Sequence, residues 1–251
     1  MRDPHRPVPR GVYILPNLFT TASLFTGFLS MIFAVSGRCD SAAWAILFSA
    51  LMDGLDGKVA RLTGSSSQFG IEYDSLADCV AFGVAPAMLM WAWQLNTLGR
   101  TGVAVAFLSV ACGALRLARF NVGVGTTSKR FFIGLPSPAC ACTLATFVLF
   151  LPYLPSWLMD QLPYICLGLA FVAPLLMVSR VRYFSFKEYG FLREHPFSTL
   201  VSALVLFVLI FSAPRMFGFV LCLGYILSGL LYTFLLLPRR NRQILRHLTQ
   251  S

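Results

Sequence analysis

Charge is scarce in this sequence. Of its 251 residues only 12% are Asp, Glu, Lys or Arg, whereas 57% are hydrophobic, a balance too apolar for one large or two small water-soluble domains. Cysteine offers no framework: the seven at 39, 79, 112, 140, 142, 166 and 222 are odd in number, scattered and mostly inside apolar runs. Cys140-x-Cys142 lacks zinc-site spacing and has no histidine beside it. Histidine is limited to His5, His195 and His247, two near the termini and one beside Pro196, so each reads as a surface residue rather than a catalyst. No ten-residue alternation suggests a membrane barrel, and no internal repeat, low-complexity segment or separate soluble domain is evident. These absences exclude a secreted enzyme, a soluble nucleic-acid binder and a protein held by a single anchor.

What the chain has instead is length without charge. Six charge-free stretches of 19 to 29 residues lie between Arg10 and Arg38, Asp78 and Arg100, Arg130 and Asp160, Asp160 and Arg180, Glu194 and Arg215, and Arg215 and Arg239. A hydrocarbon core of about 30 Å needs roughly 20 helical residues, so each can cross. Two shorter runs, 41–52 and 101–115, continue as helix into charged residues, and counting them gives about eight spans. The expectation is an all-α integral membrane protein with transmembrane helices at 16–35, 41–63, 69–95, 101–120, 135–154, 164–181, 196–212 and 217–237. Around them, 1–15 reads as a basic arm, 16–190 as the core, 191–237 as two further helices and 238–251 as a basic tail. The first apolar stretch is too long for a signal peptide and is expected to be a retained span.

The net charge of +10 follows the same logic. With the N-terminus in the cytoplasm, seventeen basic residues fall on that side: Arg2, Arg6, Arg10, Lys58, Arg61, Arg116, Arg119, Lys129, Arg130, Arg180, Arg182, Lys187, Arg193, Arg239, Arg240, Arg242 and Arg246. Arg38, Arg100 and Arg215 fall on the other. This asymmetry predicts both termini in the cytoplasm and assigns the basicity to orientation in a cell membrane, with attraction to anionic headgroups, rather than to nucleic acid.

Against this background the aspartates stand out. Asp53, Asp56, Asp74 and Asp78 are four of only ten acidic residues, and they fall within 26 positions of the second and third spans. Each Asp at a helix centre costs about 2.5–3.5 kcal/mol to insert, so the cluster needs a compensating partner. Asp53 and Asp56 are spaced i, i+3 and Asp74 and Asp78 i, i+4, so each pair shares a helix face. A hairpin through residues 64–68 makes the two helices antiparallel neighbours and brings four carboxylates together. Divalent cations would balance them, and hard oxygen ligands suit Mg²⁺, Mn²⁺ or Ca²⁺ rather than zinc. Gly54, Gly57, Ala60 and Gly64 leave one side of the second helix nearly bare, and Gly70 opens the next stripe, so a bulky anion such as phosphate or pyrophosphate can approach. Two other readings account for the same carboxylates: buried ion pairs with Lys58, Arg61, Arg116 and Arg119, or an ion pathway in a transporter.

Taken together, Asp53-Gly-Leu-Asp56-Gly57-Lys-Val-Ala60-Arg61, eight residues, then Gly70-Ile-Glu-Tyr-Asp74-Ser-Leu-Ala-Asp78 resembles the D-x-x-D-G-x-x-A-R-x8-G-x3-D-x3-D signature of the CDP-alcohol phosphotransferase family at every specified position. The flanks, with Gly113-Ala-Leu-Arg116-Leu-Ala-Arg119-Phe-Asn121, Gly134-Leu-Pro136-Ser-Pro138 and Val178-Ser-Arg180-Val-Arg182-Tyr, look like its phosphatidylserine synthase branch over residues 12 to 190. One departure is Ser23, where the pattern leads us to expect Asn.

The resemblance implies a membrane homodimer that moves the phosphatidyl group of CDP-diacylglycerol to serine and releases CMP. It implies two divalent metal ions, bridged by Asp53 and Asp74 and completed by Asp56 and Asp78, with Asp78 also the general base. It further implies that Gly57, Ala60 and Gly70 admit the nucleotide and that Arg61, Ser67 and the Asn17–Thr20 turn contact it. Arg116 and Arg119 become candidates for the serine carboxylate or a transferring phosphate, their other role being positive-inside anchors. Glycerol 3-phosphate or inositol phosphate are the alternative acceptors, and transport without chemistry is the alternative class.

Overall fold

The computed structural model describes residues 14–63, 67–122, 131–184 and 196–236, and these form a bundle of helices. The first two, α1 (Ile14–Val35) and α2 (Cys39–Thr63), make a closely packed antiparallel hairpin. Its turn is set by Gly37 at φ 75°. The Gly37 N–H donates to the Ala34 carbonyl at 3.1 Å and the Arg38 N–H to Phe33 at 2.8 Å, which satisfies the carbonyls that the end of α1 exposes.

Helix α3 (Gln68–Asp78) begins at Ser67, whose hydroxyl accepts the Gly70 N–H at 3.0 Å. It runs without a break through a π turn, Cys79–Val84, into α4 (Ala85–Trp93). Proline accounts for the widened turn. Pro86 has no N–H to give the carbonyl four residues back, and the Ala85 N–H reaches five residues back to Val80 instead. The turn is gripped by small residues on two sides. A Cβ on Gly27 of α1 would lie 2.8 Å from Ala81 Cα, and one on Gly113 would lie 3.3 Å from Gly83 Cα.

A 3-10 turn, Leu95–Leu98, returns the chain into α5 (Gly99–Val122), which packs on α7 (Leu162–Val178) with Ser109 Oγ donating to the Ala170 carbonyl at 3.0 Å. Between them in sequence, α6 (Ser137–Phe150) is buried nearly all round, enclosed by α2, α4, α7 and the C-terminal helix. The last two helices are α8 (Pro196–Ser212), which is peripheral, and α9 (Pro214–Leu231), which ends in a second π turn, Tyr232–Leu236.

The packing is that of a lipid-embedded bundle. Small residues such as Ala42, Ala43, Ala81, Ala85, Ala145 and Ala170 are buried, while Phe25, Phe28, Phe107, Phe171 and Phe211 face outward. Among the described residues, five helices are long and apolar enough to cross a membrane: Leu15–Val35, Gln68–Trp93, Leu95–Val122, Ser156–Val178 and Pro214–Phe234. The other three expected positions hold α2, which carries the acidic pair, and the shorter apolar helices α6 and α8. Lys58, Arg61, Arg116, Arg119, Arg180 and Arg182 gather at one end of the bundle; Arg38, Arg100 and Arg215 lie at the other, where Arg215 bridges Asp40 at 3.1 Å. The basic arm and tail, Lys129, Arg130, Lys187, Arg193 and the hairpin residues 64–66 fall outside the described residues.

Beside the helices lies one short ribbon. Strands β1 (Phe131–Ile133) and β2 (Arg182–Phe184) pair antiparallel, with Phe132 opposite Tyr183. The segments entering α6 and leaving α7 meet at the basic end, and the ribbon pairs backbone groups that neither helix can use. Gly134, at φ 83°, continues the link by donating to the Val181 carbonyl at 2.8 Å.

Candidate active site

Helices α2 and α3, both packed on α1, bring the expected carboxylates together, with one refinement. One oxygen from each of Asp53, Asp56 and Asp74 lies within 4.8 Å of the other two. Asp78, a turn further along the helix than Asp74, interacts with Asp53, but it does not join that trio. The four are therefore a triad plus a neighbour rather than one symmetric set.

Neutralisation by basic side chains is not what holds them. Among the described residues no Lys or Arg nitrogen comes within 4.0 Å of any of the four. Asp56 is buried and accepts a hydrogen bond from Thr20 Oγ1 at 2.8 Å. Asp74 Oδ1 is buried with no hydrogen-bond donor among the described residues. Three clustered carboxylates, one with an orphaned oxygen and none with a basic partner, fit a divalent cation: the site could hold a metal ion through hard oxygen ligands.

Beside the triad opens a cleft lined by Pro16, Asn17, Thr20, Asp56, Gly57, Ala60, Ser67, Gly70, Ile71 and Asp74. Small side chains create it. Nothing lies within 4 Å of where a Gly57 Cβ would project, whereas a Cβ on Gly70 would stand 3.2 Å from Ser67 Oγ and 3.3 Å from Asn17 Oδ1. Gly70 thus lets the first turn of α1 close against the start of α3. That contact is reinforced by the hydroxyls of Thr21 and Tyr73, 2.9 Å apart. At the far side Asn121 Nδ2 donates to Ser75 Oγ at 3.1 Å, tying the end of α5 to α3.

Of the residues singled out in the sequence, Asn17, Thr20, Gly57, Ala60, Ser67 and Gly70 all line this cleft. Arg61 does not; it is exposed on the last turn of α2. The two arginines of α5 part company. Arg116 is half-buried, lies within electrostatic reach of Asp78 and donates from NH1 to Ser137 Oγ at 2.6 Å. Arg119 is exposed and donates to the Val178 carbonyl at 3.3 Å, capping α7 instead of approaching the aspartates. The i, i+3 spacing placed both on one face, but the three-residue step spans enough of a turn for α7 to claim the second. Ser23, the departure in the first helix, is buried and shares a 2.8 Å hydroxyl contact with Ser49 of α2, so the hairpin uses the position for packing.

Residues 13–176 match the family model described as CDP-alcohol phosphatidyltransferase, about two-thirds of the chain and all of the acidic site. The chain belongs to that family. It is an enzyme class in keeping with a carboxylate triad beside an anion-sized cleft. A CDP-diacylglycerol–serine O-phosphatidyltransferase of Helicobacter pylori J99 is 45% identical over 177 residues, covering 70% of this chain and 74% of that protein. One of the same name from Methanocaldococcus jannaschii is 33% identical over 222 residues, 88% of this chain and 95% of its own. An archaetidylserine synthase of Methanothermobacter thermautotrophicus is 39% identical over 137 residues, 54% and 58% respectively.

Several residues with a place near this site carried no signal in the sequence. Tyr73 and Ser137 sit within motif stretches but have no spacing that marks them. Tyr225 of α9 comes within electrostatic reach of Arg116, and Tyr183, in the sequence only the last residue of a motif stretch, is set by the ribbon with its ring 5.5 Å from that of Tyr225, long-range contacts that no local pattern encodes.

Proposed function

We propose that the protein transfers the phosphatidyl group of CDP-diacylglycerol to the hydroxyl of L-serine, giving phosphatidylserine and CMP. The observation that carries this reading is the Asp53–Asp56–Asp74 triad with Asp78 at its edge, opening onto a cleft walled by Gly57 and Ala60. The names of the relatives supply the acceptor, and the residues supply a chemistry that suits it.

In this reading Asp53, Asp56, Asp74 and Asp78 hold two divalent cations, Mg²⁺ or Mn²⁺ with Ca²⁺ a third candidate. Such ions, when bound, neutralise charge on the pyrophosphate and on the departing nucleotide, a contribution of several kcal/mol. Gly57 and Ala60 leave room for the cytidine ring, and Asn17, Thr20 and Ser67 offer hydrogen bonds at its phosphate end, with Arg61 at the rim. Asp78 accepts the proton of the serine hydroxyl while the serine oxygen bonds to the β-phosphorus and the bond to CMP breaks. No covalent enzyme intermediate is needed, since the acceptor oxygen attacks directly.

The reading includes eight spans with both termini in the cytoplasm, so that the basic end of the bundle faces cytoplasmic serine and the lipid's headgroup level. It includes a homodimer, as the family resemblance implies. The test is purified protein in vesicles given CDP-diacylglycerol, Mn²⁺ or Mg²⁺, and serine, glycerol 3-phosphate or inositol phosphate in turn. Serine-dependent CMP release is the expected result. Release with glycerol 3-phosphate and not with serine overturns the acceptor, and solute flux without CMP release overturns the enzyme.

A further inference from the structure

A second polar cluster, outside the lining of the nucleotide cleft, contains two buried polar atoms with no hydrogen-bond partner among the described residues. Arg116 spends NH1 on Ser137, yet its Nε is buried and bonded to nothing. Tyr183 is completely buried, and its hydroxyl likewise has no hydrogen-bond partner. Native structures rarely leave such atoms idle unless something else satisfies them. The two share electrostatic neighbours, Cys140 and Tyr225, with Asp78 also within reach of Arg116, and the Tyr225 ring lies 5.5 Å from that of Tyr183.

The position of Tyr183 is enforced. It sits in β2, held by pairing with Phe132, and its ring is pressed on Gly229 of α9 so tightly that any Cβ there would overlap it. Both tyrosines also lie beyond residue 176, where the family match ends. The matched segment holds the machinery for the nucleotide-linked donor. These two side chains are added to it from the C-terminal part of the chain, with Tyr225 within electrostatic reach of Arg116.

We propose that Arg116, Tyr183 and Tyr225 form the recognition site for an α-amino acid acceptor. Arg116 takes the carboxylate through Nε, the Tyr183 hydroxyl accepts a hydrogen bond from the ammonium, and the Tyr225 ring packs beside it. An amino acid so held carries its hydroxyl toward Asp78. The inference rests on the serine reading above and adds how serine is told from other alcohols: an acceptor lacking either charged group leaves one buried atom unpaired.

The experiment measures CMP release by the full chain in vesicles, with CDP-diacylglycerol and Mn²⁺. Acceptors are serine, ethanolamine (no carboxylate) and 3-hydroxypropionate (no ammonium), the analogues also being assayed as competitors. Tyr183→Phe is expected to raise the KM for serine about tenfold while the KM for CDP-diacylglycerol stays within about twofold, and to leave 3-hydroxypropionate unaffected. Arg116→Gln is expected to cost at least about tenfold with serine and little with ethanolamine. Gly229→Ala, which displaces the Tyr183 ring without altering its chemistry, should reproduce the Tyr183→Phe pattern. A serine KM unchanged in Tyr183→Phe, or an equal loss with serine and 3-hydroxypropionate, overturns the site while leaving serine turnover intact. A wild-type protein that ignores serine removes the parent reading, and this site with it.

Discussion

Thr20 of α1 donates a 2.8 Å hydrogen bond to Asp56 Oδ2 of α2, with both side chains buried. The Pro16 carbonyl competes for the same proton at 3.2 Å, and the shorter, charge-assisted bond is the stronger. Thr20 therefore fixes which way one carboxylate of the triad points, and it does so from a helix that contributes no acidic residue of its own.

Thr20→Val keeps the shape and removes the hydroxyl. A hydrogen bond to a charged group contributes about 1.5–3 kcal/mol, so the Mn²⁺ concentration for half-maximal CMP release should rise about tenfold or more. Thr20→Ser should stay near wild type. Equal metal dependence in Thr20→Val and wild type would show that Asp56 is oriented by something else.

Asp78 and Asp53 are neighbours with separable roles. Asp78 lies outside the 4.8 Å trio, so Asp78→Asn should lower CMP release by about 10²–10⁴ while much of the Mn²⁺ binding, followed by electron paramagnetic resonance, remains. Asp53→Asn, inside the trio, should lose both. Chelation of divalent ions should silence the wild type reversibly. Full retention of turnover in Asp78→Asn would remove it as the base.

Gly57 tests the cleft without testing the fold. It sits on an exposed helix surface with nothing within 4 Å of where a Cβ would project, so the side chain of Gly57→Val starts into open space and even gains helix propensity. Thermal stability should hold or rise slightly, whereas the KM for CDP-diacylglycerol should increase about tenfold or more as the side chain fills the nucleotide wall. A variant with an unchanged KM would move the nucleotide elsewhere.

The site was more legible in the sequence than the architecture around it. Asp53, Asp56, Asp74 and Asp78 announce themselves because charge inside apolar helices is costly and because spacings of three and four fix a shared face. Gly57, Ala60 and Gly70 could be placed beside them by the same helical geometry. Periodicity says nothing about which neighbour a side chain meets, and so Arg116 and Arg119 looked equivalent until α6 took one and α7 the other. The β1–β2 ribbon escaped notice because three-residue strands joined across some 50 positions leave no alternation to read. The π turn had a visible cause in Pro86, but a proline within an apolar run is compatible with a kink, a break or a widened turn, and only packing against Gly27 and Gly113 selects the last.

That packing makes a final prediction about stability. A Cβ on Gly27 would sit 2.8 Å from Ala81 Cα, a backbone atom that no rotamer change can move. Gly27→Ala must therefore push α1 away from the π turn, at a cost of about 1–3 kcal/mol, or a fall of several degrees in the thermal midpoint of the detergent-solubilised protein. The same shift draws Asn17 and Thr20, on the preceding turns of α1, away from Gly70 and Asp56, so metal affinity should fall with stability. Ala81→Gly removes the second-nearest atom, the Ala81 Cβ at 3.0 Å, and should recover part of both losses in the double variant. A Gly27→Ala protein as stable as wild type would mean that α1 is not seated against Ala81 and that its contacts to the carboxylates are not set by this crossing.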